Sequence, residues 1–385
     1  MKRGQAIPYG CQFIDDSDVE VVTETLKSSF LTQGPRVEEF EEKLAAFCGS
    51  KYAVTFSSGT AALHGAYFVA GLGEGDSFVT TPNTFLATAN AGIYVGATPL
   101  FGDVDSQTGN LTTDRINEED LERASLVVPV HFGGQPVDLD SFEELATSHR
   151  LKVIEDGCHA LGATYGKSKI GGCQYSDMTT FSFHPVKHIT TGEGGAVTTN
   201  DFGYVEQLKE FRSHGVVKDP ATQEENGSWT YEMRSLGFNY RMSDLQAALG
   251  ITQLSKLRDF VERRQEIASC YDDAFAGHPD FETPPKIGGT TNAYHLYPIR
   301  LNDPSKRRTV YEYLRQKNIL TQVHYIPVHT QPFYRERFTE ETSLPLAEEY
   351  YARELSLPIF PNMTEEQLEY VVQTVLETFK NMKSY

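Results

Sequence analysis

The sequence predicts an α/β protein: a large unit with a mainly parallel central sheet, followed by a smaller C-terminal α+β unit. Three observations lead there. Between about residues 52 and 199, short apolar strands alternate with helical segments, the pattern of a sheet covered by helices. The strands at 126–130 and 151–155 are apolar almost throughout, as strands buried on both faces are. Finally, a long helical pattern from about residue 243 leads into a segment that carries one more strand and two more helices. The 385 residues leave room for both units. We expect residues 1–250 to form an N-terminal arm and the large domain, and residues 251–385 a linking helix and the small domain.

In chain order, Asp15, Asp16, Ser17 and Asp18 supply oxygens for a helix start, and Val19, Val22 and Leu26 repeat at helical spacing behind them. Thr32-Gln33-Gly34-Pro35 breaks that helix. A second helix spans about 37–47 and stops at Gly49. A strand is expected at 52–56, then a helix opened by Ser58-Gly59-Thr60, a strand at 77–81 and a helix from about 84 to 94. Strands at 126–130, 151–155, 178–183 and 196–199 complete the series. Residues 217–235 are polar, contain Pro220 and Gly227, and read as a surface loop. A long helix, with room for a bend, covers about 243–274. In the small unit we expect a strand at 294–301 and helices at 307–317 and 365–382.

Composition narrows the function. With 53 acidic against 34 basic residues the net charge is −19, which disfavours nucleic acid as a partner. No apolar run approaches the roughly 20 residues that span a bilayer, and Met1-Lys2-Arg3-Gly4-Gln5 is not followed by an apolar signal segment. The expected location is the cytoplasm, with no membrane partner. Five cysteines without a CxxC pair read as reduced thiols, and no metal site is expected.

Four segments carry chemistry. In Ser182-Phe183-His184-Pro185-Val186-Lys187, a lysine stands just past a buried strand and ahead of the turn Thr190-Thr191-Gly192-Glu193-Gly194-Gly195. Burial lowers a lysine pKa and makes the amine nucleophilic, although an isolated lysine is more often a solvated one. Ser57-Ser58-Gly59-Thr60-Ala61 lies between a strand and a helix, where free N–H groups seat a phosphate or are simply capped. Ile154-Glu155-Asp156-Gly157-Cys158-His159 ends a buried strand, and Asp156 is placed either to protonate a pyridine nitrogen or to close a turn. Gly237-Phe238-Asn239-Tyr240-Arg241-Met242 offers an amide and a guanidinium for an anion, or forms a surface loop. Each is ambiguous alone. Together they supply a phosphate seat, a carboxylate for a ring nitrogen and a lysine amine, the set that pyridoxal 5'-phosphate requires.

With those residues in order, SSGTAAL, VIEDGCHALG, SFHPVKHITTGEGG and GFNYRMSDLQAALG, the chain resembles the DegT/DnrJ/EryC1/StrS sugar aminotransferases from about residue 7 onward. Further segments (Leu31-Thr32-Gln33-Gly34, Phe211-Arg212-Ser213-His214-Gly215, Tyr294-His295-Leu296-Tyr297-Pro298 and Gln322-Val323-His324-Tyr325) resemble the branch acting on UDP-linked 4-keto-6-deoxy-N-acetyl-hexosamines in pseudaminic acid-type biosynthesis. The resemblance implies a fold-type I homodimer with active sites at the interface, pyridoxal phosphate as cofactor, a nucleotide-sugar substrate and glutamate as amino donor. It implies Lys187 as the lysine that bonds the cofactor and Asp156 as the partner of its ring nitrogen. Gly59, Thr60 and Ser182 would contact the phosphate, with Asn239 doing so from the partner subunit. Phe85 would stack on the ring and His159 would lie near its phenolic oxygen. Tyr9, Ser29, Phe30, Leu31, Thr32, Gln322, Val323, His324 and Tyr325 would border the sugar nucleotide. Other nucleotide-linked keto-sugars, and a pyridoxal-phosphate-binding regulator without turnover, are the alternatives. A nicotinamide-dependent oxidoreductase lacks its GxGxxG after a strand, and family dehydratases carry histidine where Lys187 stands.

Overall fold

The structure, a computed structural model, describes residues 6–338 and 343–382; the Met1–Gln5 start lies outside them. Helices α1 (Asp16–Leu26) and α2 (Pro35–Cys48) precede strand β1 (Tyr52–Phe56) and helix α3 (Gly59–Val69). Next come β2 (Ser77–Thr80), α4 (Ala87–Tyr94), β3 (Thr98–Phe101), β4 (Ala124–Val128), α5 (Leu139–His149), β5 (Lys152–Asp156), β6 (Met178–Ser182), β7 (Gly195–Thr199) and α6 (Phe202–Phe211). The long helix α7 (Asp244–Phe275) leads to β8 (Tyr297–Leu301), α8 (Arg307–Gln316), α9 (Pro345–Arg353), β9 (Glu354–Leu357) and α10 (Glu365–Met382).

Seven strands form the central sheet in the order β1-β7-β6-β5-β4-β2-β3. All neighbours pair in parallel except β7, which runs antiparallel to both β1 and β6. Alternating residues divide between two cores. Val79, Val127, Val153, Phe181 and Ala196 face α2, α5 and α7, whereas Phe78, Leu126, Val128, Ile154 and Val197 face α3 and α6. A sheet covered on both faces needs apolar residues at successive positions, which explains the unbroken apolar runs of the sequence.

The expected α/β architecture is what the structure holds, and the differences are local. The strand at 98–101 was not expected; it carries Pro99 and forms the sheet edge, where a missing N–H is tolerated. Helices α5 and α6 were also not expected. Each buries few residues (Leu139, Phe142 and Ala146; Val205, Leu208 and Phe211), a narrow stripe in polar surroundings. Residues 217–235 are not a plain loop: Pro220–Asn226 is helical, capped by Asp219, and Val216–Val217 pairs with Glu232–Met233. The strand expected from residue 294 begins at Tyr297, because Tyr294 sits at φ +47° in the left-handed region.

Helix α7 belongs to two cores. Ala247 to Val261 packs in the large unit; Ile267 to Phe275 packs with β8, β9, α8 and α10. Phe281–Glu282, β8 and β9 make an antiparallel three-stranded sheet there, giving the small unit its α+β character. The arm joins that unit: Ile7 is in its core, and Ile7–Pro8 pairs in parallel with Ile319–Leu320. Capping boxes start α1 at Asp15 and α7 at Ser243. Asp18 does more than cap, because its carboxylate also meets Lys256 of α7 at 2.7 Å.

Candidate active site

The carboxyl ends of β5 and β6 place the first group. Asp156 is the last residue of β5 and is 4% exposed. One carboxylate oxygen accepts the Thr88 hydroxyl at 2.7 Å and the other accepts the Cys158 backbone N–H at 3.1 Å. Thr88 lies in the first turn of α4 and also meets the Thr84 hydroxyl at 2.8 Å. Two donors hold the carboxylate in one orientation, as needed for a carboxylate that faces a protonated ring nitrogen.

Lys187 follows β6 in the turn that its backbone N–H closes on the His184 carbonyl at 2.8 Å. Among the described residues its ammonium has no hydrogen-bond or ion-pair partner. Burial lowers its pKa, against the pull of Cys158 and Asp156. The amine is therefore neutral at lower pH than an ordinary lysine, which favours attack on a carbonyl.

The third part lies between β1 and α3. Ser58 caps α3 by accepting the Ala61 N–H at 3.1 Å, and its carbonyl takes the Ala62 N–H. The N–H groups of Gly59 and Thr60 are left at the helix end, where the helix dipole favours an anion. Ser182, at the end of β6, faces them closely. A Cβ on Gly59 would come within 2.7 Å of the Ser182 Cβ, so only glycine fits there. The seat is backbone and hydroxyl, suited to a phosphate.

The fourth part is a wall of rings. The Tyr325 hydroxyl accepts from His159 Nε2 at 3.2 Å, and the two rings stack. Gly133 N–H points at His159 Nδ1 at 3.3 Å, which leaves the ring proton on Nε2. Burial first, and then the Lys187 charge, hold the His159 pKa well below the usual value, so the ring is neutral. His324 stands 5.3 Å from the Tyr9 ring and 4.8 Å from the Tyr325 ring, centroid to centroid. Phe85 is exposed and its ring is tilted against Tyr325 with centroids 6.2 Å apart.

Of the residues singled out in the sequence, Tyr9, Phe85, His159, His324 and Tyr325 come together through these ring contacts, and Asp156 and Lys187 interact electrostatically beside them. Gly59 and Ser182 adjoin each other. Gln322 pairs with Ser356 at the start of the His324 segment, with Val323 next in line. Ser29, Phe30, Leu31 and Thr32 lie elsewhere, exposed at the start of α7, where Leu31 accepts the Asp244 N–H. Asn239 is also exposed, bridged to Ser213. Thr88 was missed by sequence reasoning. Nothing near position 88 announces it, since its partner lies 68 residues on.

A lysine amine, a fixed carboxylate, a helix start suited to a phosphate and an exposed aromatic ring, all at the carboxyl ends of a mainly parallel sheet, define a pyridoxal-phosphate-dependent aminotransferase. The chain belongs to the DegT/DnrJ/EryC1/StrS aminotransferase family, which it matches over residues 12–376. It is 40% identical to the spore coat polysaccharide biosynthesis protein SpsC of Bacillus subtilis, covering 98% of each chain. It is 37% identical to the UDP-4-amino-4,6-dideoxy-N-acetyl-beta-L-altrosamine transaminase of Campylobacter jejuni, again over 98% of each. Its fold superposes on Helicobacter pylori PseC, an aminotransferase of pseudaminic acid biosynthesis, with a TM-score of 0.90, 35% identity and coverage of 98% and 100%. Pyridoxal phosphate is the cofactor, and a structural neighbour from Streptococcus pneumoniae (26% identity, TM-score 0.90) is solved in its PLP form. No helix among the described residues is long and apolar enough to cross a membrane.

Proposed function

We propose that the chain transfers an amino group from glutamate to the C4 keto group of a UDP-linked 4-keto-6-deoxy-N-acetyl-hexosamine, in pseudaminic acid-type sugar biosynthesis. The observation that carries this reading is the wall of Tyr9, His159, His324 and Tyr325 beside Lys187, contributed by the arm, the large unit and the small unit. Such a wall offers rings to cover a sugar face and polar tips for its oxygens. The names of the Campylobacter and Helicobacter relatives support the same substrate class.

In this reading Lys187 holds the cofactor and then moves a proton to and from the reacting carbon. Asp156 keeps the ring nitrogen protonated, oriented by Thr88. Gly59, Thr60 and Ser182 bind the phosphate, Phe85 covers the ring, and the neutral His159 donates toward the phenolic oxygen or Tyr325. The cofactor, when bound, supplies the electron sink. Tyr9, Gln322, Val323, His324 and Tyr325 border the sugar nucleotide. Asn239, exposed in one copy, contacts the phosphate from a second copy, so the working unit is a homodimer, and its location is the cytoplasm. Ser29, Phe30, Leu31 and Thr32, exposed beside the start of α7, lie apart from the other residues assigned to the sugar nucleotide.

Glutamate should bleach the visible absorbance of the bound cofactor, and the UDP-linked 4-keto sugar should restore it, whereas GDP- and dTDP-linked 4-keto sugars should not. Restoration by a different keto sugar would keep the transaminase and move the substrate. Failure of glutamate to bleach would sink the donor assignment. Lys187→Ala should lower turnover by roughly 10²–10⁴-fold or more with an unchanged circular dichroism spectrum; normal turnover would remove the lysine from the chemistry.

A further inference from the structure

Behind the wall lies a group that has no part in the chemistry above. Glu354 opens β9 and is fully buried, as is Ser356 two residues on, so both side chains share one face of the strand. Glu354 Oε2 accepts the backbone N–H of His324 at 2.7 Å, and Oε1 accepts the Ser356 hydroxyl at 2.5 Å. Ser356 Oγ lies 2.9 Å from His324 Nδ1. Glutamate, serine and histidine thus form one continuous string. The other ring nitrogen, Nε2, has no partner among the described residues. On the reading above, that nitrogen is available to the sugar nucleotide.

A hydroxyl has one proton to give, so the string has two consistent arrangements. When Glu354 is ionised, it accepts the Ser356 proton and Ser356 Oγ accepts from Nδ1–H, which leaves Nε2 as an acceptor. When Glu354 is neutral, it donates to Ser356, Ser356 donates to Nδ1, and Nε2 carries the ring proton. The two differ by one proton: it enters at Nε2 while the Nδ1 proton passes to Ser356 and the Ser356 proton to Glu354. We propose that Glu354 is a positioning residue that, through Ser356, decides which nitrogen of His324 is protonated, and so whether His324 donates to the phosphate and carbonyl oxygens of the sugar nucleotide.

The electrostatics agree with the geometry. Burial pushes Glu354 up to about 8, opposed by its bonds to Ser356 and His324 and by the charge of Arg307. Burial lowers His324 to about 3, followed by Lys187, so its ring stays neutral and only the tautomer changes. Other groups facing this acid are Arg300, its register partner on β8, and the hydroxyls of Tyr325 and Tyr350. Arg300 itself is engaged with Glu282 at 2.8 Å.

The test is ¹⁵N NMR of histidine-labelled holoenzyme at about pH 6.5 and about pH 9.5, either side of the value of about 8. The His324 signal is assigned by its loss in His324→Gln. The expected result is Nε2–H at the lower pH and Nδ1–H at the higher. In Glu354→Gln the amide oxygen keeps the His324 N–H bond and the amide N–H donates to Ser356, so Nε2–H should persist at both. One tautomer throughout in the parent enzyme, or a switch that survives in Glu354→Gln, would overturn the proposal. A second arm uses the substrate: KM for the UDP-linked keto sugar should rise about tenfold across this range, one good hydrogen bond, and stay flat in Glu354→Gln. A tautomer switch without that rise would overturn the contact with the sugar nucleotide and leave the string intact, separating failure of this inference from failure of the functional reading on which it rests.

Discussion

At the scale of single residues, Asp156 shows how little of a site a motif contains. The carboxylate itself was visible as the end of an apolar strand, but its orientation depends on Thr88, which reaches it at 2.7 Å from another element. Thr88→Val keeps the shape and removes the donor. A hydrogen bond to a charged group contributes about 1.5–3 kcal/mol, so cofactor affinity should fall roughly tenfold to a hundredfold, read by fluorescence titration of the apoenzyme. An unchanged Kd would mean that Thr88 is incidental. Asp156→Asn should slow each half-reaction strongly while binding is less affected; unchanged rates would give Asp156 another job. His159 is a similar case. The family resemblance implies an imidazole near the cofactor, and only the bond from Gly133 assigns its proton to Nε2.

At the scale of elements, the phosphate seat depends on how close α3 comes to β6 and β7. Gly59 lies against Ser182, and a Cβ on Gly195 would meet the Ser58 carbonyl oxygen at 2.4 Å. Gly59→Ala must push the helix start or the serine aside. Overpacking of this kind costs about 1–3 kcal/mol, and the displaced N–H groups should weaken cofactor binding further. Equilibrium dialysis of the cofactor against this variant is the check; parent-like retention would show that the seat tolerates movement. The glycine-rich turn at 192–195 stood out in the sequence, but the sequence does not say what packs against it. A similar limit governs the edge strand β3. It carries Pro99, and whether a proline breaks a strand depends on whether that strand has neighbours on both sides.

At the scale of the whole molecule, α7 joins the two cores, and Arg264 lies where they meet. Its side chain is fully buried and donates to the carbonyls of Tyr294 at 3.1 Å and Ile359 at 2.8 Å. It holds in place the strained Tyr294 turn, from which His295 packs 4.3 Å from His159. Arg264→Met should leave these carbonyls without their donor at about 1–3 kcal/mol each, and the thermal midpoint of the holoenzyme should fall by roughly 2–4 °C per kcal/mol. An unchanged midpoint would mean the turn is held by packing alone. Periodicity and apolar runs in the sequence determined the layered α/β architecture and most of its elements, though not β3, α5 or α6, because these follow from local spacing and backbone chemistry. The lysine, aspartate and glycine segments were visible as candidates whose roles the family resemblance implied. The meeting of Tyr9, His159, His324 and Tyr325 at one site, the Thr88 and Glu354 hydrogen bonds, and the arm's place in the small core were decided only by the tertiary structure. Those contacts join residues far apart in the chain, and no local pattern encodes which partner a side chain will find.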